Sequence, residues 1–203
     1  MIDKVKCDNK IGCDLHKYLI ALLKKAQQGT GCFPETISEN YYKEVKNNPE
    51  KFEEWLVGLV GFCSFGGKWF GGYPRGFKND GVTPRDIPNE TIRNLKKQAS
   101  NLKGVKFYNC DFRDIDTEKV KNFVVYCDPP YKGTTRYATD KFPYEEFYDW
   151  CRKISKNNIV LISEYSMPDD FECIYEKELK CTLKVKERSV KTEKLFILRD
   201  SIK

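Results

Sequence analysis

With one histidine, His16, in 203 residues, the chain cannot build the common His-based metal sites or the Ser-His and Cys-His triads. Its nine cysteines (Cys7, Cys13, Cys32, Cys63, Cys110, Cys127, Cys151, Cys173 and Cys181) stand singly, with no Cys-x-x-Cys pair. That spacing argues against a zinc site and a disulfide framework, so no metal is expected and a reducing cytoplasm is the expected compartment. No apolar run approaches the roughly 20 residues a membrane-spanning helix needs. Met1-Ile2-Asp3-Lys4 opens no secretory h-region, and no membrane partner is expected. Internal repeats and low-complexity linkers are also missing. The length suits one well-buried core, so 1–203 is expected to form a single domain.

The net charge of +6 is unevenly placed. Between Gly66 and Lys106 lie Lys68, Arg75, Lys78, Arg85, Arg93, Lys96, Lys97, Lys103 and Lys106, against Asp80, Asp86 and Glu90 alone. This window carries the whole excess. A local positive field suits a polyanion, because each neutralised phosphate releases counterions. A solvated lysine-rich face explains the same charge equally well.

Periodicity predicts a strand at Lys10–Cys13 ending in Asp14, then a helix with Leu15, Tyr18, Leu19, Leu22 and Leu23 on one face, stopping near Gly29. Ser38 caps a polar helix to about Asn47, and Pro49 opens another through Phe52, Trp55, Leu56 and Leu59. Gly61–Gly76 interleaves glycines, aromatics and cations, and a turn-rich loop follows to Pro88. A helix with Ile92, Leu95, Ala99 and Leu102 on one side comes next. The remainder alternates as an α/β chain: a strand Val105–Asn109, a brief helix at Thr117–Lys121, a strand Phe123–Cys127, and a helix carrying Phe147, Trp150, Cys151 and Ile154. Strands are then expected at Ile159–Ser163, Glu172–Leu179, Leu183–Arg188 and Lys194–Leu198.

Three strands end at an acid: Asp14, Asp111 and Asp128. Ligands of open parallel sheets sit beyond the carboxyl ends of the strands, where such acids accept hydrogen bonds. Asp also commonly starts the turn or helix after a strand. The third acid opens Asp128-Pro129-Pro130-Tyr131. Two prolines donate no backbone hydrogen bond and take the chain rigidly out of the sheet. The carboxylate of Asp128 and the carbonyl of Pro129 then make a pair of acceptors suited to an exocyclic amine, and Tyr131 offers a ring on which a base can stack. Aromatic amines are poor nucleophiles, because the lone pair is delocalised into the ring. Accepting both N–H groups frees that lone pair, and the rest of methyl transfer is positioning. A bare strand-exit turn is the plain alternative for four residues.

From Ile11-Gly-Cys-Asp-Leu-His-Lys-Tyr-Leu-Ile20 to Thr192-Glu-Lys-Leu-Phe-Ile197 the chain resembles the adenine-specific (N6) DNA methyltransferases common in phages and restriction-modification systems, related to bacterial DNA adenine methylase. The resemblance implies a Rossmann-like S-adenosylmethionine-dependent methyltransferase sheet of α/β class, mixed with antiparallel C-terminal strands. It also implies a small helical and loop DNA-recognition insertion at about residues 35–90. It assigns Asp128, Pro129, Pro130 and Tyr131 to catalysis. Asp14, at the ribose hydroxyls, is assigned to the cofactor, as are Asp111, Phe112 and Asp128. Gly61–Gly76 takes the place of the DNA-contacting segment, with Lys68, Trp69, Tyr73 and Arg75 as DNA-binding candidates. Core packing is the competing role for the aromatics, and the favoured one for Phe65 and Phe70. His16 is expected to do no chemistry beyond starting its helix. The implied reaction is methylation of a flipped adenine in double-stranded DNA.

The family pattern places a Phe-x-Gly-x-Gly loop ahead of the acid matched by Asp14, whereas only thirteen residues precede Asp14 and none forms it. Three expectations answer that departure: a truncated, weak or inactive enzyme; a complementing chain or homodimer; or Ser64–Gly67 and Trp69–Gly72 standing in, after a strand at Trp55–Phe62. The competing functions are cytosine-N4 transfer, methylation of RNA or protein glutamine, an inactive DNA-binding remnant, and a plain nucleotide-binding α/β protein.

Overall fold

The computed structural model describes residues 2–78, 80–132, 142–180 and 190–199. The chain divides into two compact units, Met1–Asp111 and Phe112–Lys203. No helix among the described residues is long and apolar enough to cross a membrane.

The first unit runs β1 (Ile11–Asp14), α1 (Lys17–Gln28), α2 (Glu39–Asn47), α3 (Glu54–Phe62), α4 (Ile87–Ala99) and β2 (Lys106–Asn109). β1 and β2 pair in parallel, from Ile11 opposite Lys106 to Asp14 opposite Asn109. Side-chain caps set the helix starts. His16 Nδ1 accepts the Leu19 N–H, Ser38 accepts that of Tyr41, and Asp86 accepts that of Asn89, each satisfying an otherwise orphaned donor. α3 is apolar on nearly every side and is correspondingly buried, at Val57, Leu59 and Val60. It reaches α1 so closely at Gly58 that a Cβ there would stand 2.2 Å from the Tyr18 carbonyl oxygen.

Two boundaries differ from expectation. Pro49–Lys51 makes one 3-10 turn, Phe52 is extended, and α3 starts only at Glu54. Trp55–Phe62 is helix, which removes the strand required for Ser64–Gly67 to stand in as a glycine loop. Leu15 precedes α1 and is exposed rather than on its buried face.

The second unit runs β3 (Val124–Cys127), α5 (Tyr144–Ile154), β4 (Ile159–Glu164), β5 (Phe171–Lys180) and β6 (Val190–Leu198), in sheet order β3-β4-β6-β5. β3 and β4 are parallel, and β6 lies antiparallel to both β4 and β5. α5 buries Phe147, Trp150, Cys151 and Ile154 in one cluster with Val160 and Ile162 of β4. The helix expected at Thr117–Lys121 is a turn. Asp116 receives the Glu118 N–H on its carboxylate, and Asn122 adopts a left-handed φ of 64° that ends the segment. β6 begins at Val190, earlier than expected, and the strand expected at Leu183–Arg188 lies outside the described residues. The whole is a mixed α/β structure with one parallel pair and one mixed sheet whose C-terminal strands are antiparallel.

Candidate active site

In the second unit β3 delivers Asp128 at its carboxyl end, and the two prolines turn the chain out of the sheet. Among the described residues the Pro129 carbonyl accepts no hydrogen bond, whereas the Pro130 carbonyl accepts one from the Tyr144 hydroxyl at 2.8 Å. Asp128 opens to solvent. Partial burial raises its carboxyl above the ordinary Asp value, the nearby charge of Glu193 adds to this, and the neighbouring Tyr131 hydroxyl opposes it. Burial pushes the Tyr131 phenol up to about 12, so it keeps its proton at neutral pH and remains a donor.

The next strand supplies the support. Ser163 and Glu164 close β4 and are both buried. Ser163 Oγ lies 2.8 Å from the Tyr131 hydroxyl. Glu164 is 1% exposed and spends its carboxylate on backbone donors, the N–H of Lys132 at 3.0 Å and that of Tyr165 at 2.7 Å. Desolvation raises its carboxyl despite those bonds. Tyr165 meets the Tyr131 ring edge-on at 4.6 Å, and the Lys132 ammonium lies over Tyr144 and Tyr148 at 5.5 and 5.8 Å. Sequence reasoning missed Ser163, Glu164 and Tyr144. The first two carried a signal, a polar pair closing the apolar run Ile159-Val160-Leu161-Ile162.

In the first unit the parallel pairing sets the carboxyl ends of β1 and β2 side by side, which brings Asp14 near the start of Cys110-Asp111. The Cys110 N–H reaches the Asp14 carbonyl at 3.3 Å, and the Asn109 amide donates to the carbonyls of Asp14 and Leu15 at 2.9 Å each. Asp14 Oδ1 accepts the His16 N–H at 2.7 Å, so this acid does start the turn into α1, and its second oxygen has no partner among the described residues. Phe112, in the second unit, packs with Phe147 and Trp150 at 5.5 and 5.8 Å.

The glycine-aromatic segment sorts by side-chain type. Trp69 lies against Gly61, where a Cβ would approach its ring to 2.3 Å, and it meets His16 edge-on at 4.2 Å. Tyr73 donates to the Ile37 carbonyl at 2.8 Å and packs on Tyr42. Phe70 also packs on Tyr42, whereas Phe65 is exposed. Lys68 is exposed, and its ammonium has no acceptor among the described residues. Arg75 is exposed and pairs with Glu39 at 2.5 Å.

The loop beyond Arg75 is better ordered than its turn-rich sequence suggests. Phe77 and Pro84 form an antiparallel bridge, Lys78 donates to Thr83 at 2.8 Å, and the Asp80 carboxylate gathers the N–H groups of Val82 and Thr83. This short ribbon holds Phe77 and Val82 out to solvent, 61% and 78% exposed, beside Lys78.

No curated protein matches the chain. The family model described as D12 class N6 adenine-specific DNA methyltransferase matches residues 74–191, a span that holds the Phe77–Pro84 ribbon, Asp111, the Asp128–Tyr131 motif and the Ser163-Glu164 pair. Because that match covers more than half of its length, the chain belongs to the D12 class of N6 adenine-specific DNA methyltransferases.

Proposed function

We propose that the chain methylates the N6 amino group of an adenine flipped out of double-stranded DNA, with S-adenosylmethionine as the donor. The observation that carries this is the pair of acceptors at the end of β3, the Asp128 carboxylate and the Pro129 carbonyl, which accepts no hydrogen bond among the described residues. Each takes one N–H of the amino group, which draws the nitrogen toward tetrahedral geometry and frees its lone pair. Asp128 is also a better resting place than an ordinary aspartate for the proton the amine must shed, since desolvation raises its proton affinity. Tyr131 supplies a ring face for the extruded base.

Asp14, at the carboxyl end of a parallel strand and with one oxygen unpartnered among the described residues, suits the donor's ribose hydroxyls, and Asp111 at the neighbouring strand end suits its adenine. When bound, S-adenosylmethionine supplies a sulfonium methyl that needs no further activation. The Rossmann-like reading of the sheets and the role of residues 35–90 as the target-recognition insertion belong to the same proposal. On the DNA side we assign Lys68, Arg75 and Lys78 to phosphates or base edges, and Trp69 and Tyr73 to shaping that surface. β1 pairs with β2 alone and β3 with β4 alone among the described residues, which supports a second copy or a complementing chain as partner.

The test is transfer of labelled methyl from S-adenosylmethionine to adenine-containing duplexes, with the modified nucleoside identified by mass spectrometry. N6-methyladenine is the expected product. N4-methylcytosine would move the assignment to the other exocyclic amine. Donor binding in a calorimeter with no transfer to any duplex would leave a cofactor-binding remnant.

A further inference from the structure

We infer that Tyr144 is a positioning residue for methyl transfer: its hydroxyl engages the Pro130 carbonyl, so that of the two successive proline carbonyls at the strand exit only that of Pro129 is left for the amine. The inference rests on the proposed methyltransferase reaction for its kinetic consequence, and on hydrogen bonds alone for its geometry. Pro129 and Pro130 have no N–H, so no backbone donor of their own ties this stretch to a neighbour. What holds it must act on the carbonyls or on the residue that follows Tyr131. The Tyr144 hydroxyl donates to the Pro130 carbonyl at 2.8 Å, in a direction fixed by chemistry, since a carbonyl has no proton to give. Two residues further on, the Lys132 N–H donates to the buried Glu164 carboxylate at 3.0 Å. These bonds flank Tyr131 and run to different elements, the first turn of α5 and the end of β4. The Pro129 carbonyl accepts nothing among the described residues.

Placement favours such a role. Tyr144 is the first residue of α5, and its ring meets Phe142 edge-on at 5.0 Å and packs on the cluster that buries Phe147 and Trp150. A ring held on these sides leaves its hydroxyl little freedom to turn away. Burial raises the phenol above the ordinary Tyr value, so it keeps its proton at neutral pH and remains a donor. Without this bond the peptide after Pro130 is free to rotate, and its carbonyl competes with that of Pro129 for the same amine hydrogen. A misdirected amine still binds, so the loss falls on rate and not on affinity.

The first readout needs no substrate. Protein labelled at the proline carbonyl carbons and the tyrosine amide nitrogens gives a linked NMR signal only where tyrosine follows proline, at Pro130-Tyr131 and Pro143-Tyr144. In Tyr144→Phe, which keeps the ring and its packing, the second signal disappears and the first is thereby assigned. Its carbonyl carbon should move upfield, as a carbonyl does on losing a hydrogen bond. The second readout is kinetic. Tyr144→Phe should lower kcat about tenfold, while KM for DNA and the affinity and stoichiometry of donor binding stay unchanged. An unmoved carbonyl signal or an undiminished kcat overturns the inference. So does a fall in kcat matched by an equal fall in donor-binding stoichiometry, which would mean only that fewer chains are folded. If the intact chain transfers no methyl group, the proposed reaction fails while the carbonyl signal still decides whether Tyr144 holds the strand exit.

Discussion

Asp128 and Glu164 are both carboxylates whose proton affinity is raised by desolvation, yet their surroundings commit them to opposite tasks. Asp128 opens to solvent, where the proposed reaction uses it as an acceptor; Glu164 is sealed and gives both oxygens to the backbone. Asp128→Ala should therefore remove at least about a hundredfold of the methyl-transfer rate while the melting temperature stays close to that of the unaltered chain. Full activity in that variant would end the acceptor mechanism. Glu164→Ala takes the acceptor from the N–H groups of Lys132 and Tyr165 and leaves a cavity in a buried position, and urea unfolding should show a loss of about 1–3 kcal/mol. The raised carboxyl of Glu164 also sets a sign. Its folded-state affinity exceeds the unfolded one, so its contribution is complete below the ordinary Glu value and is lost as pH rises through the raised one. Stability measured across that window should fall with pH more steeply in the unaltered chain than in Glu164→Gln. Parallel curves would mean that Glu164 titrates as an ordinary carboxylate.

Among the elements, α3 shows how glycine decides packing. At Gly58 the obstacle to a side chain is the backbone of α1, which cannot swing aside. Gly58→Ala should cost about 1–3 kcal/mol in thermal or urea unfolding, as overpacking does elsewhere. A loss under about 0.5 kcal/mol would show that α1 and α3 can separate. Most elements were legible because their caps and periodicity lie close together in sequence, as with Ser38 before α2 and Gly29 after α1. The exceptions depend on partners distant in sequence or on unusual local backbone. Asn122 ends the Thr117–Lys121 segment by going left-handed. β6 starts four residues early because β5 continues to Lys180 and carries the pairing with it. The acids at the strand ends and the Pro-Pro exit could be read directly. The buried stays behind them could not, because nothing local shows that Ser163 and Glu164 meet Tyr131 and Lys132, about thirty residues earlier.

At the scale of the whole molecule, charge should govern the encounter with DNA. The excess of +6 is matched by the window from Gly66 to Lys106, where Lys68 and Lys78 are exposed and Arg75 stands beside the Phe77–Pro84 ribbon. Replacing Lys68 and Lys78 by Gln should weaken duplex binding and reduce the slope of log affinity against log salt by about one for each phosphate no longer neutralised, without altering donor affinity. An unchanged slope would return these lysines to the solvated face. Arg75→Ala should weaken DNA binding by a further step, and its loss of stability should stay within about 0.5 kcal/mol because its pair with Glu39 is exposed.

The strands that carry Asp14 and Asp128 each have one bonded neighbour among the described residues, and they show apolar side chains to solvent at Ile11, Val124 and Tyr126. An edge of that kind recruits other chains as readily as its own. During recovery from denaturant, correct folding is first order in chain and edge-to-edge capture is second order. The fraction of chains regaining native structure should therefore decline as the refolding mixture is made more concentrated, while the rate constant of those that succeed stays the same.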